Sequence, residues 1–374
     1  MLKLKKIALV VSLAAVMASS LIACGNKGET AKTTSSNSTK VESKDDYTIK
    51  LGYYNCDHMT AACVAKDAGI FDQLGLKVEV TGNGKIPQAM ATGQMDAGYI
   101  GFKGLNTAYA KGSPIIVAAN NHDGGSYYLV VSNDIKNPAK DLIGQPMGIG
   151  SKPEQTDYNW EQMANDAGIP VKGENYKGIN FDSDQAKYLA MKTGKIKGYV
   201  CCDPWGSMAE FEKTGRILST HLMTGKELGN CCVFSLNKKF AKEHPELAKK
   251  MVLAHTKAIE YIYTHPLKAA KIFAKNYNVP EEAALLTVYK KTVGEGRTLS
   301  WKVDPKKFKH EMEFEISKGL YSDSNKYEDI VITKYLDESG ADDFDKFIKE
   351  KVNAVFPLGM SFENWKAKSN EIDK

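Results

Sequence analysis

The sequence predicts an α/β fold of two similar lobes finished by a helical carboxyl-terminal region, and three observations carry that prediction. First, apolar strand-like runs alternate with helical patterns. Tyr47 to Tyr53 reads as a strand, Thr60 to Leu74 as a helix, Lys77 to Val80 as a strand and Ile86 to Thr92 as a helix, an order that indicates largely parallel strands. Second, the run MATGQMDAGYI from Met90 to Ile100 is matched by MKTGKIKGYV from Met191 to Val200. Each reads as a helix end, a Gly stop and a short buried strand, so two similar lobes are implied. Third, from about Lys238 to Lys275 and again from Pro280 to Val293, Leu, Ala, Met and Ile recur at spacings of three and four, which makes the carboxyl-terminal third a helical cap.

The amino terminus has the layout of an export signal. Lys3, Lys5 and Lys6 precede an apolar core from Ile7 to Ile22 that closes on Leu21-Ile22-Ala23-Cys24. That core is shorter than the roughly 20 residues a bilayer span needs. The segment resembles the lipobox of bacterial lipoproteins, which implies that residues 1–23 form a removable signal peptide and that Cys24 is acylated. Residues 24–46 are rich in Thr, Ser, Lys and Glu with almost no large apolar side chains, the composition of a disordered tether. No later stretch is long and apolar enough to cross a membrane, so the expected location is extracytoplasmic, held to the cell membrane by lipid alone. The formal charge of +5 is small for 374 residues, and Lys and Glu are interspersed, which argues against a nucleic-acid partner.

About 330 residues follow the tether, more than one hydrophobic core usually serves. The expected division places 47–132 in the first part of lobe one, 133–228 in lobe two, and 229–374 in a return to lobe one together with the terminal helices.

Several pieces then occur in a telling order. Leu51-Gly52-Tyr53 leads to Ala65-Lys66-Asp67-Ala68-Gly69-Ile70-Phe71 and Gly75-Leu76-Lys77-Val78-Glu79-Val80. Thr92 to Gly98 precedes a strand, and Asp141 to Ile149 runs into Gly150-Ser151. Pro204-Trp205, Phe240, Pro245-Glu246 and His265-Pro266 follow. From about Tyr47 to about Glu282 the chain resembles the nitrate, sulfonate, taurine and thiamine-precursor class of ABC-transporter solute-binding proteins. The resemblance implies a periplasmic-binding-protein type II fold, the Venus flytrap, in which two crossover strands join the lobes and a small-molecule ligand closes them. It also implies a monomeric binding protein and not an enzyme, needing no cofactor, with an ABC permease and its ATPase as partners.

In an α/β sheet, ligands bind beyond the carboxyl ends of strands. The loop after the first strand, Asn55 to Thr60, supplies Asn55, Asp57 and His58 as candidates, although Asp57 or Thr60 serves equally well as a helix cap. Phe102 and Lys103 follow the strand ending at Ile100-Gly101, and His122 to Ser126 begin a crossing strand. Phe102 and His122 are therefore candidates, with core packing as the alternative for the aromatic ring. In the second lobe Ser151, Gln155 and Thr156 enter a helix whose free amides favour a polar or anionic group, and the same residues read as caps. Asp203 and Trp205 lie in the turn Cys201-Cys202-Asp203-Pro204-Trp205, where Trp205 is either a stacking platform or a hinge-side core residue.

Six cysteines accompany Cys24: Cys56, Cys63, Cys201, Cys202, Cys231 and Cys232. They fall close to the candidate loops, and adjacent Cys residues do not readily bridge each other. Cys56, Cys201, Cys202, Cys231 and Cys232, near His58, Met59 and Met95, outline a soft site for a thiophilic metal or sulfur-rich ligand. Buried free thiols and disulfides are the alternatives. The rival class is the fungal thiamine-pyrimidine synthases, which share the fold and carry a run of three cysteines, Phe and Cys beside an iron site. Cys201-Cys202-Asp203-Pro204-Trp205 departs from that run, so no catalytic residue and no resident metal is expected. The expected cargo is a small nitrogen- or sulfur-containing solute of sulfonate, nitrate or pyrimidine type; the absence of Arg from the candidate loops weakens a simple sulfonate or nitrate reading unless backbone amides hold the anion, and leaves neutral pyrimidines, sulfur compounds and metal complexes open.

Overall fold

Strands dominate the centre of each lobe because β-branched and aromatic residues cluster in short runs bounded by Gly, Asn and Asp. In the computed structural model, the described residues are 46–82, 85–124, 127–150, 158–170, 175–221, 223–224 and 227–374. Twelve strands occur among them: β1 (Thr48–Tyr53), β2 (Lys77–Gly82), β3 (Ala97–Gly101), β4 (Ile115–Asp123), β5 (Tyr127–Ser132), β6 (Pro146–Gly148), β7 (Lys177–Gly178), β8 (Gly198–Cys201), β9 (Gly215–His221), β10 (Met223–Thr224), β11 (Glu227–Leu228) and β12 (Asn230–Asn237). One five-stranded sheet has the order β2-β1-β3-β12-β4 and the other the order β7-β6-β8-β5-β9, while β10 and β11 form a short antiparallel hairpin.

The two orders are the same plan used twice. In the first sheet β2, β1 and β3 are parallel and β12 runs antiparallel between β3 and β4. In the second, β7, β6 and β8 are parallel and β5 runs antiparallel between β8 and β9. The strand that completes each sheet is the one that has just crossed from the other. At the crossings, the Gly124 amide donates to the Gly229 carbonyl at 2.7 Å, so the two connections are hydrogen-bonded to each other.

The matched segments occupy equivalent places. Thr92 ends the helix Ile86–Ala91 and Thr193 ends the helix Asp184–Lys192, each hydroxyl donating back to carbonyls of the preceding turn. Gly93 and Gly194 follow with φ of 70° and 76°, the left-handed conformation that a Cβ resists. Each chain then enters the central strand of its sheet, β3 or β8.

Two local expectations are corrected. The helix read across Thr60 to Leu74 is two helices, Thr60–Asp67 and Ile70–Gln73, because Gly69 at φ 73° interrupts the first. Tyr127–Ser132, expected in the first lobe, is β5 of the second sheet. The chain crosses before that run, and pairing with β8 and β9 decides its membership.

β4, buried along its length except at Asp123, and the fully buried β12 carry the first core, against which the helices Pro245–Thr264 and Pro266–Tyr277 lay Met251, Ile259, Ile262 and Phe273. Burying each such side chain contributes roughly 1.5–3 kcal/mol. Within this core His255 stacks on Phe234, donates through Nε2 to the Asn120 carbonyl at 2.8 Å and accepts from the Tyr99 hydroxyl at 3.1 Å. The helix Glu281–Tyr289 inserts Ala283 into the second-lobe core and continues as a π-helical turn, Lys290–Gly294. Among the described residues, no helix is long and apolar enough to cross a membrane.

A steric prediction follows from Gly198 at the start of β8. A Cβ there would lie 2.9 Å from the Val130 carbonyl oxygen of the neighbouring strand, a backbone atom that cannot turn aside. Gly198→Ala should lose roughly 1–3 kcal/mol in denaturant unfolding. Gly104→Ala, whose nearest neighbour is 3.9 Å away within a helix, should lose none. Equal stability of the two variants would refute this packing.

Candidate functional site

A cavity of about 420 Å³ opens between the two sheets, at the carboxyl ends of their parallel strands. The first sheet supplies Tyr54, Asn55, Cys56, His58 and Met59 after β1, Gly101, Lys103 and Gly104 at the end of β3, and Cys231 and Cys232 at the start of β12. The second supplies Tyr127, Asp184 and Cys202.

The loop after β1 is held rigidly although it lacks regular structure. Asp57–Met59 forms a 3-10 turn, and the Thr60 hydroxyl donates to the Asp57 carbonyl at the start of the next helix. The Cys56 carbonyl accepts from Tyr277 at 2.8 Å, and the His58 carbonyl accepts from the Asn121 side chain at 2.6 Å. From the other lobe, the Asp203 carbonyl accepts the Asp57 amide at 3.1 Å.

Thiols and imidazoles converge on this loop. The Cys56 Sγ lies 2.9 Å from Nε2 and 3.3 Å from Nδ1 of His58, and the His58 ring stacks on His122 with centroids 5.1 Å apart. Cys231 and Cys232 place their Sγ atoms 3.3 Å apart. Consecutive strand residues normally face opposite sides, but the pairing of β12 with β4 shifts register on both sides of Cys232, and that irregularity brings the two thiols together. Cys202 of the second lobe stands close enough to Cys56 of the first that each thiol shifts the other's proton affinity.

The electrostatics separate these thiols. Burial pushes the Cys231 thiol up, but the Cys232 thiol and the His58 and His122 rings outweigh it and bring Cys231 well below the ordinary thiol value. Burial and the neighbouring Cys231 hold Cys232 well above that value, and burial likewise raises Cys56. Burial alone would lower His58, yet Cys231 and Asp57 raise it, so the His58–Cys231 pair favours the charged form of both groups.

Beneath the cavity lies a buried charge cluster. Lys291 Nζ, on a side chain 2% exposed, stands 3.3 Å from Asp57 Oδ2, 2.9 Å from Glu295 Oε2 and 2.7 Å from the Tyr128 hydroxyl. Tyr128 donates in turn to Glu295 at 2.7 Å. Burial would lower the Lys291 pKa, but Glu295, Asp57 and Asp203 more than offset it and raise it. Burial would raise Asp57, and Lys291 with His58 reverses this and holds the carboxylate ionised.

The residues singled out from sequence fall into four groups. Asn55 and His58 line the cavity; Asp57 and His122 are buried directly behind it. Phe102, Asp203 and Trp205 do not reach it. The Phe102 ring meets Phe308 edge-on at 4.9 Å in the core, because the chain turns into a helix at that residue. Asp203 spends both carboxylate oxygens on the Ser207 amide and hydroxyl. Trp205 leans on Tyr188 at 5.8 Å. Ser151, Gln155, Thr156 and Cys24 lie outside the described residues. Of the five cysteines grouped as a soft site, Cys201 belongs to the second-lobe core, since it ends β8 and faces away from the cleft. Cys63 and Met95 are likewise core residues. Sequence reasoning missed Tyr54, Tyr127, Asp184 and the Lys291–Glu295 pair. Asp184, which accepts the Cys202 amide at 2.9 Å, opens a helix just after Ser183, a legible cap signal.

Lys291→Met should strand Asp57 in a dry interior and cost about 3–5 kcal/mol in chemical denaturation. Adding Asp57→Asn should recover part of the loss. A single variant as stable as the parent would show that the cluster does not hold the loop.

Residues 42–276 match the NMT1-like family. A 4-amino-5-hydroxymethyl-2-methylpyrimidine phosphate synthase of Saccharomyces cerevisiae is 26% identical over 246 residues, which cover 61% of this chain and 70% of the yeast protein. The ligand-binding component of an ABC-type import system from Staphylococcus aureus, solved with zinc bound, superimposes with a TM-score of 0.62 at 18% identity over 79% of this chain and 99% of its own. The alkanesulfonate-binding protein from Xanthomonas axonopodis pv. citri, bound to MOPS, gives 0.60 at 14% identity over 76% and 98%. These structures share the two-lobed periplasmic-binding-protein fold with the chain. By a match that spans more than half its length, the chain belongs to the NMT1-like family.

Proposed function

We propose that the chain is the extracytoplasmic solute-binding component of an ABC importer, taking a small molecule or ion between its lobes and handing it to a permease energised by an ATPase. The observation that carries this reading is the cavity between the sheets, lined from both lobes and placed beside the only two described crossings. A ligand that touches both walls binds the closed state more tightly than the open one, and that difference drives closure. Moving the equilibrium from 1:99 to 99:1 takes about 5.5 kcal/mol of differential affinity, within reach of a few buried contacts. No bond need be made or broken. The import components and sulfonate-binding relatives with the same fold support the reading.

A second reading, synthesis of a pyrimidine, has the yeast relative in its favour. Scattering separates the two. On adding a cognate solute to the purified mature chain, the radius of gyration should fall, and the solute should be recovered unchanged after denaturation. A constant radius across a broad solute collection, together with conversion of an added substrate, would sink the importer reading in favour of the enzyme.

The lipobox-like segment adds that Cys24 anchors a monomeric protein to the membrane surface. Cells expressing Cys24→Ala should accumulate unprocessed precursor and lose incorporation of labelled fatty acid. Unchanged labelling of that variant would remove the anchor from the proposal.

A further inference from the structure

Four of the six cysteines beyond Cys24 meet in the cleft, and they do so with an imidazole among them. The donor atoms of His58, Cys231 and Cys232 all lie within 4.8 Å of one another. A tetrahedral zinc site, with Zn–S of about 2.3 Å and Zn–N of about 2.0 Å, spaces its donors by about 3.5–3.8 Å. These three atoms therefore need shifts of only a fraction of that spacing to share one ion. Asp57 turns Oδ2 to the Lys291 ammonium at 3.3 Å and Oδ1 to His58 Nδ1 at 3.4 Å and Cys56 Sγ at 3.6 Å, so Cys56, Asp57 and His58 form a second donor group that shares His58 with the first.

From this geometry we infer that the cargo is a thiophilic d10 metal ion of the Zn²⁺ or Cu⁺ class, held by His58, Cys231 and Cys232 of the first lobe and by Cys202 of the second. The inference rests on the importer reading of the same cleft and names its substrate class. Cys202 is the decisive member. It is the thiol that the second lobe brings into the cavity, and it is only partly buried, so it can leave with that lobe when the cleft opens. Cys56, whose Sγ lies 2.9 Å from His58 Nε2, lines the same cavity beside these donors.

Binding is an exchange of three protons for the metal: Cys202 and Cys232 each release a thiol proton to solvent as their sulfurs bond the ion, and the third proton leaves from the His58–Cys231 pair, so that three thiolates and a neutral imidazole hold the ion. No electron is transferred. Three sulfur donors and an imidazole select Zn²⁺ or Cu⁺ over Mg²⁺ and Ca²⁺.

The test uses the whole mature chain, reduced and handled without oxygen, with Zn²⁺ or Co²⁺ added alone. One equivalent should bind, the Co²⁺ form should show sulfur-to-cobalt charge transfer, and the scattering radius should fall. Cys231→Ser and His58→Gln should each weaken binding at least tenfold while circular dichroism stays that of the parent. Cys202→Ser should weaken binding at least tenfold and also abolish the compaction. Cys63→Ser, in the first-lobe core, should change neither. The inference fails if the reduced protein takes up no stoichiometric ion, if Cys202→Ser binds as the parent does, or if the thiols have instead lost two hydrogens as a disulfide. Closure around an organic solute without any ion would overturn the metal cargo and leave the importer reading standing. Tight ion binding by these residues with no compaction would count against both.

Discussion

The cleft depends on one buried ammonium. Lys291 draws partners from three separate parts of the chain: Asp57 from the loop after β1, Glu295 from the end of its own π-helical turn, and Tyr128 from the crossing strand β5. A lysine charge taken out of water costs several kcal/mol unless anions and hydrogen bonds surround it. The arrangement is therefore stable only when all three elements are in place together. Since Asp57 is flanked by Cys56 and His58, fixing its carboxylate also fixes the two side chains that line the cavity. The π-helical turn matters here, because an extra residue in the helix reorients Lys291 and Glu295 relative to the preceding turns.

Above this floor, the fold is a reciprocal exchange. Each sheet ends its parallel set with a strand that arrives antiparallel from the other lobe, β12 in one and β5 in the other. Tight packing at glycines reinforces both centres: a Cβ at Gly98 would meet Ile86 at 2.5 Å, and one at Gly198 would meet Met147 at 2.8 Å. Such close packing leaves each sheet little room to deform.

Much of this was legible in the sequence because it is written locally. The Thr-Gly stops at 92–93 and 193–194 announce helix ends by chemistry that needs no knowledge of the rest of the fold, and the strand that follows each is short and apolar. The polar loop after β1 was legible for the same reason. What could not be read are the choices made by distant partners. The apolar run Tyr127–Ser132 suits either sheet, and only pairing with β8 and β9 assigns it. Phe102 and Asp203 sit where ligand residues sit, yet Phe308 claims one and Ser207 the other. Lys291 reads as one more exposed helical lysine, since nothing near it in sequence shows that Asp57, more than two hundred residues away, will face it. The meeting of Cys231 with Cys232 rests on a register shift that alternation alone argues against.

The same contacts explain how a cleft assembled from two bodies presents a defined set of side chains. On the first-lobe side, Asn230 pairs with Asp123 across β12 and β4, and Asp123 is held by Lys307 at 2.9 Å, so Cys231 and Cys232 stand on a braced strand immediately beside the Gly124–Gly229 crossing. On the second-lobe side, Asp184 accepts the Cys202 amide at 2.9 Å and pairs with Lys187, which itself donates to the Val200 carbonyl of β8 at 2.8 Å. Cys202 is thus fastened to its own sheet and helix and not to a free loop. The cleft thiols of both lobes are therefore placed by backbone and buried side-chain contacts, and not by the search of loose side chains for a partner.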